Sequence, residues 1–137
     1  MATLKISDLS VGDWVRYNGK SYRAVIVDAL DQTVMIFGND EQGDIHIDQL
    51  EPIPIMAEIL EKNGWSSDGM YAFLRIDEHL HLEYYYHEHR LRKYYCGKDE
   101  WQNHAKVTDI TFAAHCYSVH QLQHALRLAG VDKEINL

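Results

Sequence analysis

The sequence predicts an α+β fold, with a small SH3-like β-barrel at the N-terminus followed by an antiparallel β-meander with two helices. Three observations lead to this prediction. Several short alternating segments lie within the first 50 residues, a proline-containing connector follows at residues 50–55, and two apolar stripes at helical spacing come after it. The connector separates residues 1–54, the predicted barrel, from residues 55–137, the predicted α+β half. Whether the two halves pack as one unit stays open.

The N-terminal half contains the signals of a small all-β unit. Residues 13–17 alternate apolar and polar side chains, as a half-buried strand does. Asn18-Gly19 follows, and because both residues tolerate positive φ, this pair favours a two-residue hairpin turn. Further strands are predicted at residues 22–27, 34–37 and 45–47. Short strands at this spacing are typical of a strongly bent barrel.

The connector predicts extended backbone and then a short helix. Its two prolines lack a backbone donor and restrict the residues before them to extended geometry, so a helix can begin only after Pro54. Asn63-Gly64 predicts the end of this helix, with Gly64 at the C′ position and positive φ. In a Schellman ending, Trp65 would pack on Leu60.

The C-terminal half predicts an antiparallel meander and a final helix. Residues 66–69 and 97–103 are predicted loops, and the short connections between strands exclude parallel crossovers. Ser118 suits the N-cap of the final helix and Gly130 its C′ position. The predicted strands are residues 71–76, 80–86, 90–95 and 107–113.

Four segments of the chain resemble a known group of proteins. They are residues 8–15, the connector Glu51-Pro52-Ile53-Pro54, the helix Glu58-Ile59-Leu60-Glu61-Lys62-Asn63-Gly64 with Trp65, and Val119-His120-Gln121-Leu122-Gln123. These motifs resemble uncharacterised small proteins encoded on phages and mobile elements of gut anaerobic bacteria. The resemblance fades between residues 70 and 114, and the group has no established function to transfer. Met56 departs from the usual Ser or Thr, which removes an N-cap side chain worth about 1 kcal/mol.

The bulk composition favours a globular, acidic protein. The 137 residues carry a formal net charge of −8, with four Lys or Arg against nine Asp or Glu up to residue 54 and nine against twelve after it. Neither half therefore offers the basic field that drives phosphate binding. No apolar run reaches membrane-spanning length and the first residues lack a signal-peptide core, so a cytoplasmic location is predicted.

Nine histidines raise the possibility of a metal site. His79, His81 and Glu83 share one face of a predicted strand, and His87 and His89 lie near the next turn. The alternative is that this face is the solvent side of a half-buried strand. His120 and His124 stand one helical turn apart but have no third ligand placed by the sequence. No ligand motif is complete, so neither a metal nor another cofactor is predicted.

The cluster Arg90-Leu91-Arg92-Lys93-Tyr94-Tyr95 is the only closely spaced basic stretch, and it carries aromatic side chains. Its arginines could touch phosphates while tyrosine rings stack on bases. The alternative is a solvated strand whose arginines pair with Glu83 or Glu88 across the hairpin. Surplus tyrosines suit protein interfaces. The predicted binding residues are Tyr84, Tyr86, Arg90, Arg92 and Tyr94.

No arrangement of residues predicts catalysis. Cys96 and Cys116 form no spaced motif, and His115 next to Cys116 would face the other way in a strand. The sequence therefore predicts a non-enzymatic accessory protein of a phage or mobile element that binds a host or phage protein. Two alternatives remain: a nucleic-acid-associated protein that uses the strand at residues 90–95, or an acidic DNA mimic that inhibits a host nuclease. The oligomeric state is not indicated.

Overall fold

The computed structural model describes residues 4–95 and 109–137, and the chain divides into two compact units. The first unit is Met1–Pro54 with Ser118–His120, and the second is Ile55–Tyr117 with Gln121–Leu137. Each unit contains one antiparallel sheet, and the two α-helices follow the first sheet in the chain. The predicted α+β class is confirmed.

The first unit is a four-stranded antiparallel sheet with the strand order β1-β2-β3-β4. Asn18-Gly19 forms the predicted hairpin turn, with φ values of 49° and 78°, and Asn39-Asp40 forms a second one with 52° and 61°. Both φ values are positive in each turn, as type I′ turns require. The strands are β1 Trp14–Tyr17, β2 Lys20–Asp28, β3 Thr33–Gly38 and β4 Glu41–His46, with 3-10 turns at Ile6–Asp8 and Ile47–Gln49.

One face of this sheet carries the core of the first unit. Apolar side chains at every second strand position are buried there, as alternation requires. Two residues from the N-terminal segment and two from the region after β4 complete the cluster. The buried members are Leu4, Leu9, Val15, Tyr22, Ala24, Val34, Ile36, Ile47 and Leu50.

The sheet has an open strand order, and no closed barrel is found among the described residues. The chain returns to β1 at a single point after the second 3-10 turn. There Arg16 and Glu51 form an antiparallel bridge with two N–H···O bonds of 2.9 Å. Among the described residues, β1 therefore has β2 on one side and Glu51 on the other, whereas β4 has β3 on one side and no partner on the other.

The connector is extended, as its prolines predict. Leu50 has φ −97° and ψ 148°, and Pro54 forms an isolated bridge with Ser118. The Val119 N–H donates to the Ile53 carbonyl at 2.8 Å. These contacts explain why residues 118–120 belong to the first unit.

The second unit has one strand more than the sequence predicts. Its sheet has the order β5-β6-β7-β8-β9, and the extra strand β5 occupies part of the predicted loop at 66–69. The predicted loop at 97–103 lies outside the described residues, as do positions 107 and 108 of the last predicted strand. The elements are α1 Ala57–Lys62, β5 Ser66–Ser67, β6 Tyr71–Arg75, β7 Leu80–Tyr85, β8 Arg90–Tyr95, β9 Asp109–His115 and α2 Val119–Leu128.

Both helices end in Schellman motifs. At α1, the Trp65 N–H donates to the Leu60 carbonyl at 3.0 Å and the Gly64 N–H to the Glu61 carbonyl at 3.1 Å. Gly64 has φ +90°, which confirms the predicted C′ glycine. Gly130, with φ +77°, ends α2 in the same way. At the start of α1, Met56 makes no side-chain capping bond.

The core of the second unit lies on the face of its sheet that carries Lys93. Lys93 donates from Nζ to the Ala129 carbonyl at 2.7 Å, which places the end of α2 against this face. Gln123 of α2 holds the C-terminal segment by accepting from the Ile135 N–H at 2.7 Å. Neither helix of the described chain is long and apolar enough to cross a membrane. The buried strand residues of this face are Ala72, Leu74, Leu82, Tyr84 and Leu91.

We expect Gly64→Ala to lower the free energy of unfolding by about 1 kcal/mol, because alanine is strained at positive φ. A Cβ at Gly64 would meet nothing within 4 Å, so the backbone conformation alone causes the loss. Urea titration measures it. Gly43→Ala is the control, since Gly43 has no positive φ and its Cβ would make only an ordinary contact at 3.9 Å. Equal stability of Gly64→Ala and the wild type would contradict the motif.

Candidate functional site

The predicted binding residues do not lie on one surface. The register of β7 and β8 pairs Glu83 with Arg92 and Tyr84 with Leu91. Paired residues point to the same side of a sheet and successive residues to opposite sides. Arg90, Arg92 and Tyr94 therefore share one face, and Tyr84 lies on the other.

Two of the predicted tyrosines are core residues. Tyr84 is 1% exposed and donates its hydroxyl to the Cys116 carbonyl at 2.6 Å. Tyr94 is 2% exposed and stacks on His81 with 5.7 Å between ring centroids. Neither ring offers a surface to a partner, which counts against the prediction that these two tyrosines bind one. Their burial leaves Tyr86 as the remaining tyrosine of the predicted set.

Tyr86 is half-buried beside an open groove that Gly69, Met70, Tyr85 and His87 also line. Its hydroxyl lies 3.3 Å from the Ser67 Oγ, and its N–H donates to the Met70 carbonyl at 3.1 Å. Burial and this hydroxyl contact hold the ring in place, and burial raises the pKa of Tyr86. The groove is lined by few convergent polar groups and does not define a ligand.

The basic cluster of β8 is paired within the unit. Arg92 forms an ion pair with Glu83 on the neighbouring strand, and Arg90 pairs with Glu88. Lys93 is bonded to the end of α2, as described above. Pairing with Glu83 and Glu88, the alternative that the sequence offered, is confirmed. The two arginine charges are therefore already partly neutralised, and the Lys93 ammonium is engaged by a backbone carbonyl.

The histidine face of β7 is not a solvent face. His81 and Glu83 are buried, as are Leu82 and Tyr84 on the opposite side. The alternative interpretation of a half-buried strand is therefore wrong, because both faces of β7 are covered. His79 stacks on Tyr95 at 5.1 Å. Within residues 4–95 and 109–137, no three His, Cys, Asp or Glu side chains are grouped so that they could hold a metal ion.

The remaining candidates for chemistry lie around the start of α2. His120 is buried, and its Nδ1 lies 3.0 Å from the Ser118 Oγ. α2 begins at Val119, which gives Ser118 the predicted N-cap position. Cys116 is buried, and burial raises the pKa of its thiol to about 12. A thiol of this kind holds little of the thiolate that a nucleophile needs.

A different surface, which the sequence analysis did not identify, exposes large apolar side chains. It is the face of the first sheet opposite the core, and we call it the outer face. Phe37 and Ile26 are 52% and 53% exposed on it. A solvated sheet face normally carries polar residues, so two half-exposed large apolar side chains in its central rows are unusual. According to the strand register, the two central rows of the outer face carry Trp14, Arg23, Ile26, Met35, Phe37, Gln42 and Asp44, and the flanking rows carry the polar residues Arg16, Ser21, Asp28, Thr33 and His46.

A bulge in β2 creates part of the outer face. Ala24 pairs with Ile36 but Ile26 pairs with Met35, so Val25 is an extra residue. Without the bulge, Ile26 would point to the core like Ala24; with it, Ile26 points outward beside Met35. The run Val25-Ile26-Val27 does not alternate, and this was the sequence signal that could have revealed the surface.

The aromatic end of the outer face is held in position by Arg23. The Arg23 Cζ lies 4.2 Å from the Trp14 ring centroid, and its Nη1 donates to the Gly12 carbonyl at 2.7 Å. The cation–π contact and this hydrogen bond fix the indole in the same row as Phe37, with Arg23 between them. The exposed apolar groups are thus presented by rigid strands.

We expect Arg92→Ala to lower the free energy of unfolding by about 3 kcal/mol, because it leaves the Glu83 carboxylate buried without its ion-pair partner. Arg90→Ala is the matched control on the same strand. Its pair with Glu88 is exposed, so its loss should cost under about 1 kcal/mol. Urea unfolding at neutral pH compares the two variants. Equal losses would show that the Glu83 pair has no special role.

We expect Cys116 to resist alkylation by iodoacetamide at pH 8 in the folded protein. With a pKa of about 12, its thiolate is on the order of a thousand times scarcer than that of an ordinary cysteine. The measurement uses a Cys96→Ser variant, so that only Cys116 reacts, and mass spectrometry with and without urea. Rapid labelling without urea would contradict the burial of this thiol.

Comparison of the chain with protein-family models, with curated proteins and with solved structures gave no match. The candidate site therefore stands on the geometry of the chain itself. In that geometry the predicted site on β7 and β8 is largely internal. The outer face of the first sheet is the surface whose chemistry departs from that of an ordinary solvated sheet.

Proposed function

We propose that the chain is a non-enzymatic protein that works by binding another protein, with the outer face as its docking surface. The observation that carries this proposal is the exposure of Phe37 and Ile26 on a sheet whose other face already has a core. Apolar surface left in water is unfavourable, and a contiguous patch of it marks interaction sites.

The chemistry of the outer face suits a protein partner. Trp14 and Arg23 belong to the residue types that dominate the binding energy of interfaces, and Phe37 to those enriched there. Arg23 already stacks on Trp14, so the indole loses little rotational freedom when a partner packs on it. Aliphatic Ile26 and Met35 extend the surface along the next row. A partner would bury an apolar centre with a polar rim.

The contacts of the basic cluster favour a protein partner over a nucleic acid. Binding of a polyanion depends on cations that can reach phosphates. The ion pairs of Arg90 and Arg92 and the hydrogen bond of Lys93 compete with phosphate contacts. The net charge of −8 adds long-range repulsion. An acidic DNA mimic would share this charge, but its function would not need the exposed apolar patch.

The topology supports the further proposal that the first unit is an SH3-like barrel. A 3-10 turn follows the last strand of the sheet, and Glu51 then returns to Arg16 beside β1. The bulge at Val25 bends β2 in the way a small barrel requires. Such a fold is compatible with protein binding but does not by itself assign it.

The origin and setting of the protein are proposed from the resemblance of its motifs. The E-P-I-P connector with its helix and the start of α2 are the segments that resemble phage and mobile-element proteins. On this basis, the chain is an accessory protein of such an element that acts in the cytoplasm of a bacterium. Its partner is then a host or phage protein, which a binding experiment can identify.

We expect the double variant Phe37→Ser/Ile26→Thr to lose partner capture in affinity purification from the cells that carry the protein. Both side chains are about half exposed, so their replacement should change the free energy of unfolding little. Leu30→Ser is the control. Leu30 is the most exposed large apolar residue of those described, at 96%, but it lies in the turn after β2 and away from the outer face.

Quantitative mass spectrometry of the captured proteins gives the result. Proteins retained by the wild type and by Leu30→Ser but lost from the double variant would support the docking surface. An unchanged set of captured proteins from the double variant, with its fold intact by circular dichroism, would contradict it.

A further inference from the structure

The fourth strand of the first sheet has one unpaired edge. β4 pairs with β3 over its whole length, from Gly38–Glu41 to Thr33–His46, and is last in the strand order. No described segment pairs with its other side, whereas β1 at the opposite end is bordered by Glu51. An exposed edge of this kind presents backbone donors and acceptors to an incoming strand.

The hydrogen bonds determine which backbone groups face this open edge. The Ile47 N–H donates to the Gln32 carbonyl at 2.9 Å, so Ile47 points its backbone groups towards β3. Backbone direction alternates along an antiparallel strand. Gly43 and Ile45 therefore also bond to β3, and Gln42, Asp44 and His46 direct their N–H and carbonyl groups outward.

β4 lacks most of the features that normally protect an edge strand. It contains no proline and no lysine, and its pairing with β3 has no bulge. Its charged residues are Glu41 and Asp44. Glu41 accepts from the Tyr22 hydroxyl at 2.9 Å and lies 3.7 Å from Lys20, so it is held at the hairpin end. Asp44 is exposed in the middle of the strand.

The edge continues into the outer face. Asp44 is in the same row as Met35 and Ile26, and Gln42 is in the row of Phe37. A strand added beside β4 would place every second side chain on this face, next to Asp44 and Gln42. The partner that supplies the added strand would therefore also lie next to the apolar patch.

The charge of the edge indicates the chemistry of that partner. Residues 39–49, which are β4 and its two flanking turns, contain four Asp or Glu and no Lys or Arg. An extended segment with Lys or Arg opposite Asp44 gains cross-strand attraction, whereas an acidic segment is repelled. A second copy of this chain would bring two such edges together, which like charge disfavours.

We propose that β4 accepts an extended segment of a partner protein, bearing Lys or Arg among apolar residues, as an additional strand of the first sheet. This inference rests on the proposed protein-binding function and names how the partner is held. Backbone hydrogen bonds supply affinity and the alternate side chains supply selectivity, as in other cases of strand addition. The basic side chain lies beside Asp44 on the outer face, and the apolar residues on either side of it point to the opposite face, which is that of Ile45.

The test uses a capped eight-residue peptide that alternates lysine and valine, followed by amide hydrogen exchange in NMR. In the free protein, the amides of Gln42, Asp44 and His46 should exchange quickly and those of Gly43 and Ile45 slowly. Saturating peptide should slow the three outward amides by about tenfold or more, because they become hydrogen-bonded. The amides of Gly43 and Ile45 should change little.

Two peptide controls separate backbone pairing from charge. A peptide with glutamate in place of lysine should bind at least about tenfold more weakly, since it meets Asp44 with like charge. A peptide N-methylated at alternate residues cannot donate along one edge. Methylation on the edge that faces β4 should abolish binding, and methylation on the other edge should not.

Matched variants test the position of the charge. Asp44→Lys should reverse the preference in favour of the glutamate peptide. Asp31→Lys changes the net charge by the same amount as Asp44→Lys but lies in the turn between β2 and β3. This variant should therefore still bind the lysine peptide more tightly than the glutamate peptide. Equal effects of the two variants would overturn the proposed place of the basic side chain.

The remaining outcomes distinguish this inference from the proposed function. No binding at about 1 mM peptide, or binding without protection of the outward amides, would overturn strand addition. Protection in the free protein that rises with its concentration would also overturn it, because the occupant would be a second copy. In each case the double variant of Phe37 and Ile26 still tests, by itself, whether the outer face binds a partner.

Discussion

The register of the first sheet is the constraint on which the account of this protein depends. Two turns, Asn18-Gly19 and Asn39-Asp40, connect their strands with two residues at positive φ. A two-residue turn of this type permits only one strand register in its hairpin. Because side chains alternate with a period of two, that register decides which residues face the core. A single extra residue, Val25, then reverses the alternation within β2 and turns Ile26 outward. The apolar outer face follows from these local features.

The second unit uses its polar residues in the opposite way. β7 is covered on both faces, so the His81 ring and the Glu83 carboxylate lie inside, and Arg92 from the next strand supplies the opposite charge. Burial of a carboxylate is tolerated when it is paired in this way. The aromatic rings and charges that suggest a binding strand in the sequence are therefore largely structural. The difference between the two sheets is that the first leaves apolar groups in solvent and the second buries polar ones.

Local signals in the sequence predicted the local structure well. Asn18-Gly19, the extended connector and the Gly64-Trp65 helix ending follow from backbone preferences of single residues, and all three are confirmed. β5 was missed because two serines in a predicted loop carry no strand pattern. The register of β7 and β8, which puts Tyr84 and Arg92 on opposite faces, could not be predicted from the sequence. Their four-residue connection does not select one pairing as an Asn-Gly turn does. The outer face was missed because the bulge that turns Ile26 outward is a feature of strand pairing, and its trace in the sequence is only the non-alternating run Val25-Ile26-Val27.

The most direct test of the register described here is to measure the Hα–Hα nuclear Overhauser effects between β3 and β4 in solution. Met35–Asp44 and Phe37–Gln42 are pairs without mutual hydrogen bonds in the register described, so their Cα atoms lie about 4.5 Å apart. The account predicts strong Hα–Hα contacts for both pairs. Contacts of Phe37 with Glu41 or Gly43 instead would indicate a one-residue slip, which would turn either Phe37 or Gln42 and Asp44 to the other face and contradict the outer face described here.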